Sequence, residues 1–255
     1  MLGLELLRRE GNSAQLGAQD GTLLFTLLER PGAQAVPRRG HLGLYHVALL
    51  LPSRADLGRF LQHVGASGIH IGMSDHLFSE ALYLTDPDGL GLEVYADRPR
   101  ESWTWEDGQL VGATIPLDVQ SVIAAGEGLP FTGIPAGSTI GHIHFYVDDL
   151  KLGSSFYEMG LGFEAVTTMP SARFVSAGGY HHHIAFNIWA LGASLPQEDD
   201  ARLLEWQLVL PDAAALEDAA RRLGAAGFPT ESVSEGSVRA TDPWRTTVRL
   251  MTSEL

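Results

Sequence analysis

The chain has 255 residues, 45% of them hydrophobic and 19% charged, the balance of a polypeptide that folds around a core. Asp and Glu outnumber Lys and Arg 31 to 17, for a net charge of −14, and no basic cluster forms a phosphate-binding stripe, so nucleic acid is not an expected partner. There is no Cys, which excludes disulfides, thiolate zinc sites and Cys nucleophiles and leaves His, carboxylate and carbonyl groups as possible metal ligands.

The first ten residues place Glu5 inside their apolar stretch and offer no small-residue cleavage site, so they do not read as a signal peptide. The longest apolar run, Val47 to Leu51, is far too short to span a bilayer. No membrane association and a cytoplasmic address are expected.

Residues 1–31 read as three short strands. Leu2-Gly-Leu-Glu5 matches Leu161-Gly-Phe-Glu164 further on, which opens the second strand of a later unit. These residues are therefore expected to be a partial first module, with its first strand and helix missing from the chain. Residues 42–97 supply a complete unit: a β-rich run at Leu44 to Pro52, helical spacing of Leu57, Phe60, Leu61 and Val64, then strands at 69–73, 80–85 and 91–95. The turn formers Asp75-His76 and Asp86-Pro-Asp-Gly89 separate those strands. The order is βαβββ.

Residues 98–138 form a connector carrying Pro99, Trp103, Trp105, Pro116, Pro130 and Pro135, too apolar for a simple linker and expected to pack across both halves. A third module occupies 139–190, with Ile140 to Val147 as strand, a helix at 150–159, and strands at 163–167, 173–177 and 182–189. A fourth, weaker copy lies at 202–252, where Pro211-Asp212 opens an Ala-rich helix. Such internal repetition points to an α+β fold of repeated βαβββ modules.

These units, with Asp86-Pro-Asp-Gly-Leu-Gly-Leu-Glu93 and Leu161-Gly-Phe-Glu164, resemble the vicinal-oxygen-chelate superfamily of glyoxalases, bleomycin-resistance proteins and extradiol dioxygenases. Ser79 to Gly89, Glu93-Val-Tyr-Ala-Asp-Arg-Pro99, Ile140-Gly-His-Ile-His144 and Gly178-Gly-Tyr-His-His-His-Ile184 are similar to its bacterial catechol 2,3-dioxygenase branch. The resemblance implies modules that pair into open barrels, with a divalent metal held by residues of each module's first and last strands. It assigns His46 and Glu93 as ligands. Aligning Pro52 with Asp148 sets His142 opposite His46, which completes a two-His, one-carboxylate set suited to Fe(II) and O₂.

The ligand order His-Glu-His departs from the His-His-Glu order usual in single-iron extradiol enzymes. Modules two and three then share the site, or the third ligand lies in the absent strand of module one. His142 and His144 point to one face by strand periodicity and can exchange roles, His144 otherwise lining the pocket. On residues alone, His46 is a hydrogen-bonded core residue or a ligand, and Glu93 faces a cation or water. Module four offers no metal site, because Glu205 stands where His46 does and Arg249 where Glu93 does.

Tyr83 is a pocket residue or a cross-strand core aromatic. His76 is an acid-base group or a turn residue. Alternation along a strand sends His181 and His183 to one face and His182 to the other, with His183 the candidate for catalysis. The leading expectation is metal-dependent extradiol cleavage of a small aromatic diol with O₂. A glyoxalase-like isomerase or lyase using Mn, Ni or Zn, and a metal-free binding protein of the bleomycin-resistance type, are the alternatives. A homo-oligomer is compatible with the strand edges a partial module leaves open.

Overall fold

The computed structural model describes residues 1–37 and 40–252. Two compact units divide the chain, one made of 1–33, 46–87 and 91–142, the other of 34–45, 88–90 and the residues from 143 onward.

In the first unit, β1 (Glu5–Glu10), β2 (Ser13–Gly17) and β3 (Leu23–Leu28) form an antiparallel meander. Then follow β4 (Gly43–Leu50), α1 (Arg54–Ala66), β5 (Gly72–Asp75), β6 (Ser79–Thr85) and β7 (Gly91–Asp97), in the spatial order β4-β7-β6-β5. β4 and β7 are parallel while the remaining pairs are antiparallel, which is why a helix must cross over between β4 and the later strands. Ser53 starts that helix by accepting the amide of Asp56 on its side chain, and Leu57, Phe60, Leu61 and Val64 form the buried stripe.

The connector contains a short 3₁₀ turn at Arg100–Ser102, a small hairpin of β8 (Trp105–Glu106) and β9 (Gln109–Leu110), and α2 (Val119–Ala125). It contributes Leu117, Val122 and Ile134 to the core built by Leu49, Leu51, Phe60, Leu82 and Val94, and so belongs to the first unit. Helix α1 can approach it closely because residue 58 is Gly, where a Cβ would collide with the Val122 carbonyl.

The second unit holds two more βαβββ sets. β10 (Thr139–Tyr146), whose first four residues are counted in the first unit, α3 (Leu150–Ser154), β11 (Glu164–Met169), β12 (Ala172–Ser176) and β13 (Ile184–Asn187) lie in the order β11-β12-β13-β10. β14 (Glu205–Leu210), α4 (Ala213–Ala225), β15 (Glu231–Ser234), β16 (Ser237–Thr241) and β17 (Thr247–Thr252) lie in the order β14-β17-β16-β15. In both, the first and last strands are parallel. The helix expected over 150–159 continues beyond α3 as a π-type turn, Ser155–Gly160, in which the neighbours Phe156 and Tyr157 are both buried.

The run His181-His182-His183 differs from the expectation of a strand. β13 begins only at Ile184, and Gly178 and Gly179, with φ of +65° and +67°, turn the chain ahead of it. Strand alternation therefore does not govern these side chains, and His181 and His182 are both buried. Among the described residues no helix is long and apolar enough to cross a membrane.

Candidate metal centre

Strand register brings together residues far apart in the sequence. His46 on β4 stands opposite Gly91 on β7, and Ala48 opposite Glu93, so His46 and Glu93 share one face of neighbouring parallel strands. Tyr83 on β6 stands directly opposite Glu93 and shares that face too. His142, on β10, packs its ring against Tyr95, two residues beyond Glu93, with centroids 4.9 Å apart.

The two imidazoles converge on one oxygen. His46 Nε2 lies 3.0 Å and His142 Nε2 3.1 Å from Glu93 Oε2, and a ligand atom from each residue falls within 4.8 Å of the others. Their exposures are 5%, 3% and 3% for His46, Glu93 and His142, so water does not solvate the carboxylate. Burial pushes the Glu93 carboxyl up, but the charge of His142 and hydrogen bonds from His142 and His46 outweigh it, holding the group well below the usual carboxylate range. An ionised carboxylate and two imidazoles on one buried face are the donor types a first-row divalent metal takes, and three donors leave coordination positions open. By the chemistry of the donor set, these residues fit such an ion.

A second layer surrounds them. His76 follows Asp75 at the β5–β6 turn and lies between two oxygens: its Nδ1 is 2.8 Å from the Ala113 carbonyl and its Nε2 2.7 Å from the Tyr83 hydroxyl. A carbonyl only accepts, so Nδ1 carries a proton, and in the neutral ring Nε2 accepts from Tyr83. The Tyr83 ring in turn meets His46 edge-on at 5.6 Å. Arg98 pins the turn, donating to Asp75 at 2.6 Å and to Oε1 of the buried Glu80 at 3.2 Å, while Arg54 donates to both Glu80 oxygens, to Oε2 at 2.5 Å and to Oε1 at 3.0 Å.

Two candidates lie in the second unit. His144 Nε2 is 2.8 Å from Asn187 Nδ2, whose Oδ1 accepts the Trp189 amide. That fixes the Asn187 amide as the donor, so His144 Nε2 accepts and its proton sits on Nδ1. Tyr45, Phe174 and Trp189 enclose the His144 ring. His183 accepts the Ala177 amide on Nδ1 at 3.2 Å, and His181 and His182 approach through their Nδ1 atoms at 2.7 Å. Sequence reasoning overlooked Tyr95 and the Ala113 carbonyl. Tyr95 was accessible through its two-residue spacing from Glu93; a main-chain oxygen in a connector leaves no side-chain signal.

This fold is that of a known class. A family model, the Glyoxalase/Bleomycin resistance protein/Dioxygenase superfamily, matches residues 1–94 and 139–244, and the chain belongs to that superfamily. Within it, the chain is similar to the catechol-2,3-dioxygenase of Bacillus subtilis (strain 168), with 42% identity over 247 residues, 95% of this chain and 86% of the relative. Among solved structures it is similar in fold to a Bacillus subtilis protein provisionally assigned as a dioxygenase, with a TM-score of 0.63 and 15% identity over 100% of this chain and 78% of that one. Glyoxalase I from Zea mays gives a TM-score of 0.55 at 15% identity, covering 98% and 84%.

Proposed function

We propose that this enzyme opens the ring of a catechol-type substrate in extradiol fashion, with Fe(II) held by His46, Glu93 and His142. The observation that carries this reading is the convergence of two buried imidazoles on one ionised carboxylate, in a chain 42% identical to a catechol-2,3-dioxygenase. Bound there, Fe(II) supplies open positions for both diol oxygens and for O₂, and a path for electrons between them.

His142 rather than His144 is assigned as the ligand, because Asn187 engages Nε2 of His144, the ring nitrogen that lacks a proton. His144 then holds its proton on Nδ1, in a polar pocket role. Tyr83 and His76 manage protons. The Tyr83 hydroxyl, oriented as donor towards His76 Nε2, takes up a proton from a substrate hydroxyl as it passes its own to the imidazole. The Ala113 carbonyl keeps the other ring nitrogen protonated, and so stabilises the imidazolium that results. His183 Nδ1 accepts the Ala177 amide, so the proton of its neutral ring sits on Nε2.

Oxygen uptake tests the reading. Protein loaded anaerobically with Fe(II) is expected to consume O₂ when catechol is added and to release the yellow ring-fission product. A colourless dicarboxylate product, or no O₂ consumption, contradicts it.

A further inference from the structure

The turn that carries His76 is held in a conformation its residues do not favour. Leu77, between β5 and β6, has a φ of +72°, in the left-handed region that Gly reaches freely and a branched apolar side chain does not. Such a backbone persists only where the surrounding groups determine it. The Leu77 amide donates to Asp75 Oδ1 at 2.8 Å, and Arg98 Nη2 donates to Asp75 Oδ2 at 2.6 Å, so one carboxylate is gripped from both sides.

The same Nη2 reaches Oε1 of Glu80 at 3.2 Å. Asp75 and Glu80 are direct cross-strand partners of β5 and β6, two carboxylates that repel each other unless a cation stands between them. Arg98 is that cation. Its own position is fixed by the main chain, for its amide donates to the Phe78 carbonyl at 2.8 Å and its carbonyl accepts Trp103 Nε1 at 3.0 Å.

The connector closes the other side. Asp75 exchanges both main-chain hydrogen bonds with Ile115, at 2.9 and 3.1 Å, and the Ala113 carbonyl takes the His76 Nδ1 proton at 2.8 Å. With both ends of the turn held in this way, His76 Nε2 comes to lie 2.7 Å from the Tyr83 hydroxyl. Arg54 supplies the comparison. It also neutralises Glu80, donating to both oxygens, but its remaining hydrogen bonds go to Ser121 in α2 rather than to the turn.

We propose that Arg98 is a positioning residue for His76: by bridging Asp75 and Glu80 it holds the β5–β6 turn in the conformation that aims His76 Nε2 at the Tyr83 hydroxyl. Without that bridge the two carboxylates repel, Asp75 releases the Leu77 amide, the backbone relaxes and the imidazole leaves Tyr83. The placement stands on this geometry; its consequence for turnover rests on the proton role proposed for Tyr83 and His76.

Arg98→Gln and Arg54→Gln separate positioning from a merely structural role, since both remove a cation from Glu80 and only the first removes one from Asp75. Nitrogen NMR of the full chain loaded with Zn(II), a diamagnetic stand-in for Fe(II), reads the His76 ring at a pH of about 8, where imidazoles are ordinarily neutral. The wild type and Arg54→Gln are expected to show a protonated Nδ1 and an unprotonated Nε2, and Arg98→Gln to lose that pattern to tautomer averaging. In iron-loaded protein, Arg98→Gln is expected to lower kcat with catechol on the order of 10²-fold, the scale of a misplaced catalytic group, with KM and iron content unchanged. In a His76→Gln background the same substitution is expected to cost nothing more, because the two act through one path. Should Arg98→Gln fail to fold, Asp75→Asn, which sets an amide N–H against the guanidinium, is expected to give the same averaged ring. An unaltered His76 ring in the Arg98 or Asp75 variant, an equal change in Arg54→Gln, or a full further loss of kcat in the His76→Gln background overturns the proposal. A wild-type chain that does not turn over catechol refutes the extradiol reading instead, and the NMR comparison still decides the placement.

Discussion

At Glu93 burial favours the neutral acid, while the facing imidazoles of His142 and His46 favour the carboxylate and hold the group well below the usual carboxylate range. The same low-dielectric setting makes the orientation of each neighbouring proton consequential, and the His76–Tyr83 pair is oriented by a main-chain oxygen that side-chain substitution cannot remove. Tyr83→Phe is expected to lower kcat with catechol by about 10²-fold or more, the usual scale of a lost acid-base group, while iron content stays unchanged. Steady-state rates alongside iron analysis check this, and an unchanged kcat would contradict the proton role. The family resemblance singled out His46 and Glu93 and left Tyr83 between a pocket residue and a core aromatic; strand register puts the three on one face. Hydrogen-bond partners were not legible in the sequence, since the Ala113 carbonyl reaches His76 through a connector with no periodic pattern.

At the scale of elements, Gly141 lets the chain just ahead of His142 pass close to Tyr95 and Leu50, residues of the same unit. A Cβ at position 141 would collide with the Tyr95 hydroxyl and come within 3.0 Å of Leu50 Cβ. Gly141→Ala is therefore expected to destabilise the protein by about 1–3 kcal/mol, the range for forcing a methyl group into packed space, and to reduce iron retention by displacing His142. Thermal melting and iron analysis of the variant measure both effects; a variant with wild-type stability and full iron would show that β10 is not constrained there. Strands β4, β6 and β7 were readable from alternation and turn residues, whereas β5, expected at 69–73, lies at Gly72–Asp75, so Asp75 ends the strand instead of opening the turn after it. The segment around His181 was not: its apolar flanks imitate a strand, but two consecutive glycines with positive φ redirect the chain before β13 begins. The end of the third helix escaped for a related reason, since helical spacing does not distinguish an α turn from a π turn.

For the whole molecule, the repetition of βαβββ units was visible in the sequence because repeats share turn chemistry and hydrophobic order, and the superfamily match spans those repeats, at residues 1–94 and 139–244. A repeated scaffold also separates fold from function. Corresponding strand positions carry His46, Tyr83 and Glu93 in one copy and Glu205, Arg239 and Arg249 in another, so the backbone is kept while the side chains change. The central claim, that His46, Glu93 and His142 together hold one metal, is tested most directly by iron stoichiometry after anaerobic loading of the wild type and of His46→Ala, Glu93→Gln and His142→Ala. The account predicts about one iron per wild-type chain, the occupancy of a single site, and a loss of tenfold or more in iron affinity in each variant. Full retention of iron by His142→Ala, with loss in the other two, would contradict it by showing that the third ligand is a different residue.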